Sequence, residues 1–211
     1  SGGTGHALSE GHLLRQSACF VALYVGDTAE AEFYIGRLLE LSERHHFGIF
    51  AAIGRCFQSM LMILRGDAAG VPALRSAVAK YLATGFTMLL PLIVGALAES
   101  LGMARDVAGG LSAIRDAFAR AEADAQQWLV PELLRIRGRL KCAAGDVGAA
   151  EEDFRRALAL AHRQGALFWE LRIATSFAVL LKDLGRSGEA RGVLAEMFRD
   201  ELDRLGDPVA A

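Results

Sequence analysis

Cysteine is scarce in this chain of 211 residues: Cys19, Cys56 and Cys142 lie far apart and none belongs to a CxxC pair. A chain of this length buries roughly 70% of its unfolded surface, so it needs no disulfide staple. An odd, sparse set of thiols predicts a reduced, cytoplasmic protein with buried cysteines. Proline is rarer than glycine, four residues against 23, with no collagen-like period and no proline-rich tract. An excess of positive charge is also missing. The net charge is −2 and the pI about 6.2, which argues against direct nucleic-acid binding by this domain. With 53% hydrophobic and 23% charged residues the chain is not disordered. A secretory leader and an initiator Met are both absent from the start, Ser-Gly-Gly-Thr-Gly-His. The chain therefore reads as a piece of a longer protein, with residues 1–6 as a flexible end or a cloning remnant.

One long apolar run is present. Tyr81 to Ala98 holds 18 residues without a charge between Lys80 and Glu99, just enough for a membrane candidate. Thr84, Gly85, Thr87 and Pro91 interrupt it, and it falls in phase with a repeat. A buried helix, and no membrane association, is the expectation.

The repeat is the strongest signal. A small residue is followed four positions on by an apolar one, and seven and eight on by a small or apolar pair. Ala31, Ile35 and Leu38/Leu39 fit, as do Gly70, Leu74 and Ala77/Val78, and Gly110, Ile114 and Ala117/Phe118. Ala150, Phe154 and Ala157/Leu158, then Ala190, Leu194 and Met197/Phe198, complete five units about 40 residues apart. Such a period means stacked supersecondary units. A glycine precedes each small residue by a few positions: Gly26-Asp27, Gly66-Asp67, Gly145-Asp146 and Gly185-Arg186, with Gly102 and a longer turn in the third unit. Glycine closes a helix in the left-handed conformation and the aspartate caps the next. This predicts helix pairs at 8–25 and 28–45, 47–65 and 68–83, 86–101 and 105–124, 127–144 and 147–164, and 167–184 and 187–205. The i, i+4, i+7 face of each second helix needs neighbouring units for its burial.

Leu134, Gly138, Gly145, Asp146, Ala150, Phe154, Ala157 and Leu158 follow the consensus order and spacing of the tetratricopeptide repeat. The chain resembles the longer, divergent members of that family. The resemblance implies an all-α, tetratricopeptide-like right-handed superhelix of about five antiparallel helix pairs, an α-solenoid. It would form a single domain over 1–211, with units at about 8–45, 47–83, 86–124, 127–164 and 167–205.

A second resemblance covers nearly the whole chain. CFVALYVGDTAEAEFYIGRLLELSERH, GRCFQSMLMILRGD, ELLRIRGRL and the run FRRALALAHRQGALFWELRIATSFAVLLKDLGRSGEARGVL, residues 154–194, are similar to the C-terminal region of large bacterial signal-transduction proteins. Those proteins carry a winged-helix DNA-binding domain, or in relatives a class III adenylate cyclase domain, then an ATPase module and a helical array. The resemblance implies a non-catalytic regulatory or interaction tail of a transcriptional regulator. The alternative is a homo-oligomerisation module of such a signalling protein.

Catalytic and cofactor signals are weak. Gly2-Gly3-Thr4-Gly5 has no preceding strand and no GKS or GKT after it, so it does not make a phosphate-binding loop. The five histidines have no metal-ligand spacing. No cofactor and no metal are expected. Glu151, Glu152 and Asp153 read as a solvated first turn that suits the helix dipole.

In tetratricopeptide-like arrays the first helix of each pair lines a concave groove. Here that implies Arg55, Trp128, Glu132, Arg135, Arg139, Trp169, Arg172 and Lys182 as candidate binding residues. Gln16, Phe20, Tyr24, Met60, Leu92 and Glu99 would line the rest. Arginine with aromatics suits recognition of a protein or peptide partner, or of a small anionic effector. The same residues also suit ion pairs between helices: Glu132 and Arg135 stand at i, i+3, and Glu170 lies near Arg172. Residues 1–105 carry eight Lys/Arg and eight Asp/Glu against 15 and 17 in the remainder. The sparsely charged half is where a second copy or another chain would cover apolar surface.

Overall fold

The computed structural model describes the backbone of residues 2–206, and the side chains of residues 5–197 and 199 except Gln16. The described chain is all-α. Its helices are α1 (Gly2–Leu13), α2 (Cys19–Val25), α3 (Thr28–His45), α4 (Gly48–Leu64), α5 (Gly70–Ala83) and α6 (Leu90–Met103). They continue as α7 (Val107–Ala123), α8 (Val130–Ala143), α9 (Val147–Arg163), α10 (Leu167–Asp183) and α11 (Ser187–Gly206). A π-helical turn, Leu14–Ala18, joins α1 to α2, and a 3₁₀ turn, Gln127–Leu129, leads into α8. The segment expected as a loose end, residues 1–6, thus contains the start of α1.

The chain forms two compact units, Ser1–Leu101 and Gly102–Ala211. In the first, α2 packs on α3 and α4, α3 on α4, and α4 on α5. In the second, each of α7 to α10 packs on the next helix, and α8 also meets α10. Within α2 to α5 and within α7 to α11, helices adjacent in sequence are therefore adjacent in space, as short connections require.

The period is written in the backbone. Gly26, Gly66, Arg105, Gly145 and Gly185 all have positive φ, between 68° and 84°, at intervals of 39 or 40 residues. They end the first helix of each pair. His46, Gly85, Ala125 and Gly165 repeat the left-handed turn at the end of the second, again 39 or 40 apart. Asp27 accepts from the amides of Ala29 and Glu30, Asp106 from Gly109 and Asp146 from Ala149, which caps α3, α7 and α9. The third unit departs from expectation. Gly102 is not its turn; it lies inside α6, and Arg105 takes the left-handed position. Gly102 is small for packing: a Cβ there would stand 2.5 Å from Leu140 Cδ2.

The small-residue rhythm forms the core. Ala31, Leu38, Leu74, Ile114, Ala117, Ala150 and Ala157 are all fully buried, and Phe154 is 1% exposed. At Gly70 a Cβ would meet Ile63 N at 2.9 Å, so only glycine admits that approach. The long apolar run is not one helix. It ends α5 at Ala83, turns through Gly85 and Leu89, and opens α6 at Leu90. Tyr81, fully buried, donates from its hydroxyl to the Met88 carbonyl at 2.6 Å across that turn. Among the described residues no helix is long and apolar enough to cross a membrane. The three cysteines are free; burial pushes the Cys19 and Cys56 thiols up to about 12, which leaves them protonated and unreactive.

The helix expected over 8–25 contains the π turn instead of running uniformly. The extra residue in that turn turns two consecutive side chains inward, Leu14 and Arg15, at 7% and 0% exposure.

Candidate functional site

Glu132, Arg135 and Arg172 come together, but inside the second unit. Glu132 stands at the N-terminal turn of α8, after Pro131, and is fully buried. Arg135, one turn on, clamps it with Nε to Oε2 and Nη2 to Oε1, both at 2.8 Å. Arg172 reaches from α10 and donates Nη2 to Oε1 at 3.0 Å. Arg135 Nη1 also lies 3.3 Å from Ser176 Oγ, which donates to the Arg172 carbonyl. Both carboxylate oxygens are taken by guanidinium donors and neither meets solvent. This is an inter-helix clamp fastening α8 to α10, with no carboxylate presented to a ligand.

The other candidates disperse. Trp169 is 5% exposed and packs against Phe168 with ring centroids 5.1 Å apart, so it belongs to the core of its unit. Trp128 stands 45% exposed on the 3₁₀ turn. Arg139 and Lys182 are exposed on α8 and α10. Arg55 lies on α4 of the first unit, donating to Gln58 Oε1 at 3.0 Å with Glu43 at 3.5 Å. Met60 and Leu92, expected in the groove, are buried at 9% and 1%; Gln16 lies outside the described side chains. Arg172 pairs with Glu132, whereas Glu170, expected near it, has Oε2 3.8 Å from His162 Nδ1.

In the acidic run on α9, Glu152 is exposed and Glu151 half-buried, but the expected solvated turn fails at Asp153. Asp153 is 1% exposed, not solvated. It receives Arg137 Nε and Nη2 at 2.8 and 2.6 Å and Lys141 Nζ at 2.8 Å. Burial alone raises its pKa, but the hydrogen bonds from Arg137 and Lys141 outweigh that and hold it below the usual aspartate value. Glu151 bridges Arg155 and Arg186, and the Arg186 hydrogen bond is the first cause of its lowered pKa. No group of three or more acidic, histidine or cysteine side chains fit to hold a metal is found among the described residues.

An open groove of about 470 Å³ does exist in the second unit, between α7 and α9 with α8 as its floor. Phe118 on α7, Val130 and Leu134 on α8 and Leu160 on α9 give it an apolar lining; Arg137, Arg156 and Arg163 supply cations, and Glu122 an anion. The Arg137 guanidinium lies 4.7 Å over the Phe118 ring while paired to Asp153. Gln164 Nε2 donates to the Gln127 carbonyl at 3.1 Å, tying the end of α9 to the 3₁₀ turn that bounds the groove. Sequence reasoning missed this site. The available signal was the seven-residue spacing of Arg156 and Arg163, which puts both on one face of α9. In the first unit a smaller hollow of about 320 Å³ between α3 and α4 has its own pair, Arg65 to Glu32 at 2.7 Å.

No family model, curated protein or solved structure matches the chain.

Proposed function

We propose that the chain is a non-catalytic binding scaffold, a tetratricopeptide-like α-solenoid that docks a protein partner or an anionic ligand. The observation that carries the reading is the groove between α7 and α9, where guanidinium groups border an apolar floor, the usual chemistry of recognition. The repeated helix pairs and their 40-residue backbone rhythm support the solenoid. The regulatory role, as the C-terminal sensor domain of a bacterial transcriptional regulator, rests on the resemblance of residues 154–194. Docking would then favour one packing of the repeat units over another and so bias attached ATPase and DNA-binding parts. The buried Glu132 clamp takes no part in binding in this account; it holds the frame.

The test is a display selection of random peptides of about 15 residues, four helical turns, against the full chain. It is run beside a thermal-shift screen of carboxylates, phosphates and oligosaccharides. Saturable binders are expected. Their absence from both screens overturns the scaffold.

Homo-oligomerisation is the second reading. It is favoured by Phe168, Leu171 and Val179, exposed at 38%, 44% and 54% along one face of α10, which lies in the second unit and not in the sparsely charged half where such cover was expected. Light scattering on the concentrated protein decides it, and a monomer rejects it.

A further inference from the structure

We propose that the groove between α7 and α9 receives a short acidic helix of a partner protein, laid with its carboxylates toward α9. The inference rests on the scaffold reading and specifies the partner. Arg156 and Arg163 stand seven residues apart, two turns and roughly 10 Å along the helix, and both border the same groove. Arg156 is 61% exposed, and its ion pair is a loose 3.9 Å contact with the exposed Glu152. Arg163 is exposed and has no ion pair among the described residues. Both are open to a ligand at little desolvation or competition.

Their spacing favours an extended ligand. Arg156 and Arg163 leave α9 at backbone positions roughly 10 Å apart, a longer span than the oxygens of one carboxylate or phosphate offer. They suit two acids spaced two turns apart on a helix lying alongside α9. Between them Leu160, Leu134 and Phe118 offer an apolar lining for an anchor side chain, the helix-in-groove mode of recognition. Arg137 is already committed to Asp153 and serves as part of the floor. Glu122 on the α7 wall sets the polarity: acids facing it are repelled, so the acidic face of the occupant turns to α9. The same Glu122, with a chain net charge of −2, disfavours a nucleic-acid strand, which needs a run of cations.

The test uses the full chain and the peptides enriched by the selection above, read by fluorescence anisotropy. Binders are expected to carry Asp or Glu seven residues apart around an apolar residue. Reversing both cations (R156E/R163E) is expected to weaken them by about ten-fold or more, through charge–charge repulsion. R191E reverses one charge at an exposed position of α11 outside the groove and is expected to leave affinity within about two-fold. E122Q is expected to tighten binding by about two-fold. A peptide with its acids changed to Lys is expected to bind R156E/R163E better than the parent chain, which separates a lost contact from a damaged fold. Binders without acids, binders indifferent to R156E/R163E, or equal losses with R191E overturn the proposal and leave the scaffold reading standing. Failure to obtain any peptide or small-molecule binder overturns both.

Discussion

In the second unit Glu132, Arg135, Asp153 and Glu170 are all less than 5% exposed, and each faces a group of opposite or potentially opposite charge. In the first unit Arg15 is the one buried charge among the described residues, and it faces none. Its Nη2 lies 3.1 Å from His12 Nδ1, its Nε and Nη1 have no hydrogen-bond partner, and its guanidinium lies 5.9 and 5.4 Å from the Phe50 and Phe86 rings. The units thus fix their helices differently. The first relies on apolar shape, with Ile53, Phe57, Leu92 and Ile93 essentially sealed from water, and on ring faces around one cation. The second adds directional clamps, Glu132 between α8 and α10 and Asp153 between α8 and α9. Buried pairs add little net stability, but breaking one is costly. Each of these clamps joins two helices of the second unit, while Arg156 and Arg163 stay on its surface.

The largest expected effect attacks the clamp. Glu132→Gln leaves Arg135 buried without its counter-charge and is expected to cost about 3 kcal/mol, in line with a broken buried pair. Hydrogen exchange should show the loss in α8 and α10, and unchanged protection there would remove the clamp from the account. Asp153→Asn comes next, at about 2 kcal/mol near neutral pH, reduced because Arg137 and Lys141 are partly solvated. The folded pKa of Asp153 lies below its unfolded value, so its contribution is present above the unfolded value of about 4 and is lost as pH falls through the folded one. The stability gap between parent and Asp153→Asn, followed by urea unfolding, should therefore close in acid; a gap independent of pH contradicts the assignment. Arg15→Met has the opposite sign. Replacing an uncompensated buried cation by an apolar side chain of similar length is expected to stabilise the first unit by about 1 kcal/mol. A loss would show that the ring faces compensate the charge. Smallest is Arg55→Ala, within about 0.5 kcal/mol of the parent, because its ion pair is exposed.

The helix pairs were legible because glycine and small residues record backbone constraints directly. Gly26, Gly66, Gly145 and Gly185 sit where φ is positive, and Gly70 where no Cβ fits. The third turn was misplaced because Arg105 adopts a glycine-like φ that its side chain does not advertise. The π turn at Leu14–Ala18 left no compositional mark. Of the site, Glu132 with Arg135 was readable as an i, i+3 pair. Arg172 is one 40-residue period beyond Glu132, so laying the repeats over one another would have found it; proximity in sequence pointed to Glu170 instead. The groove was hidden because Phe118, Arg137 and Arg163 come from three helices, and a lone arginine pair reads as a solvated face until the opposite wall is placed.

Buried and groove arginines are expected to have separate jobs, and one paired measurement tests this: unfolding midpoint and affinity for a selected acidic peptide, on Arg135→Met and on R156E/R163E. Arg135→Met is expected to lower the midpoint while the folded protein keeps its affinity, and R156E/R163E to keep the midpoint and lose the peptide. If Arg135→Met abolishes binding at full stability, or R156E/R163E unfolds the chain, the division of labour is wrong.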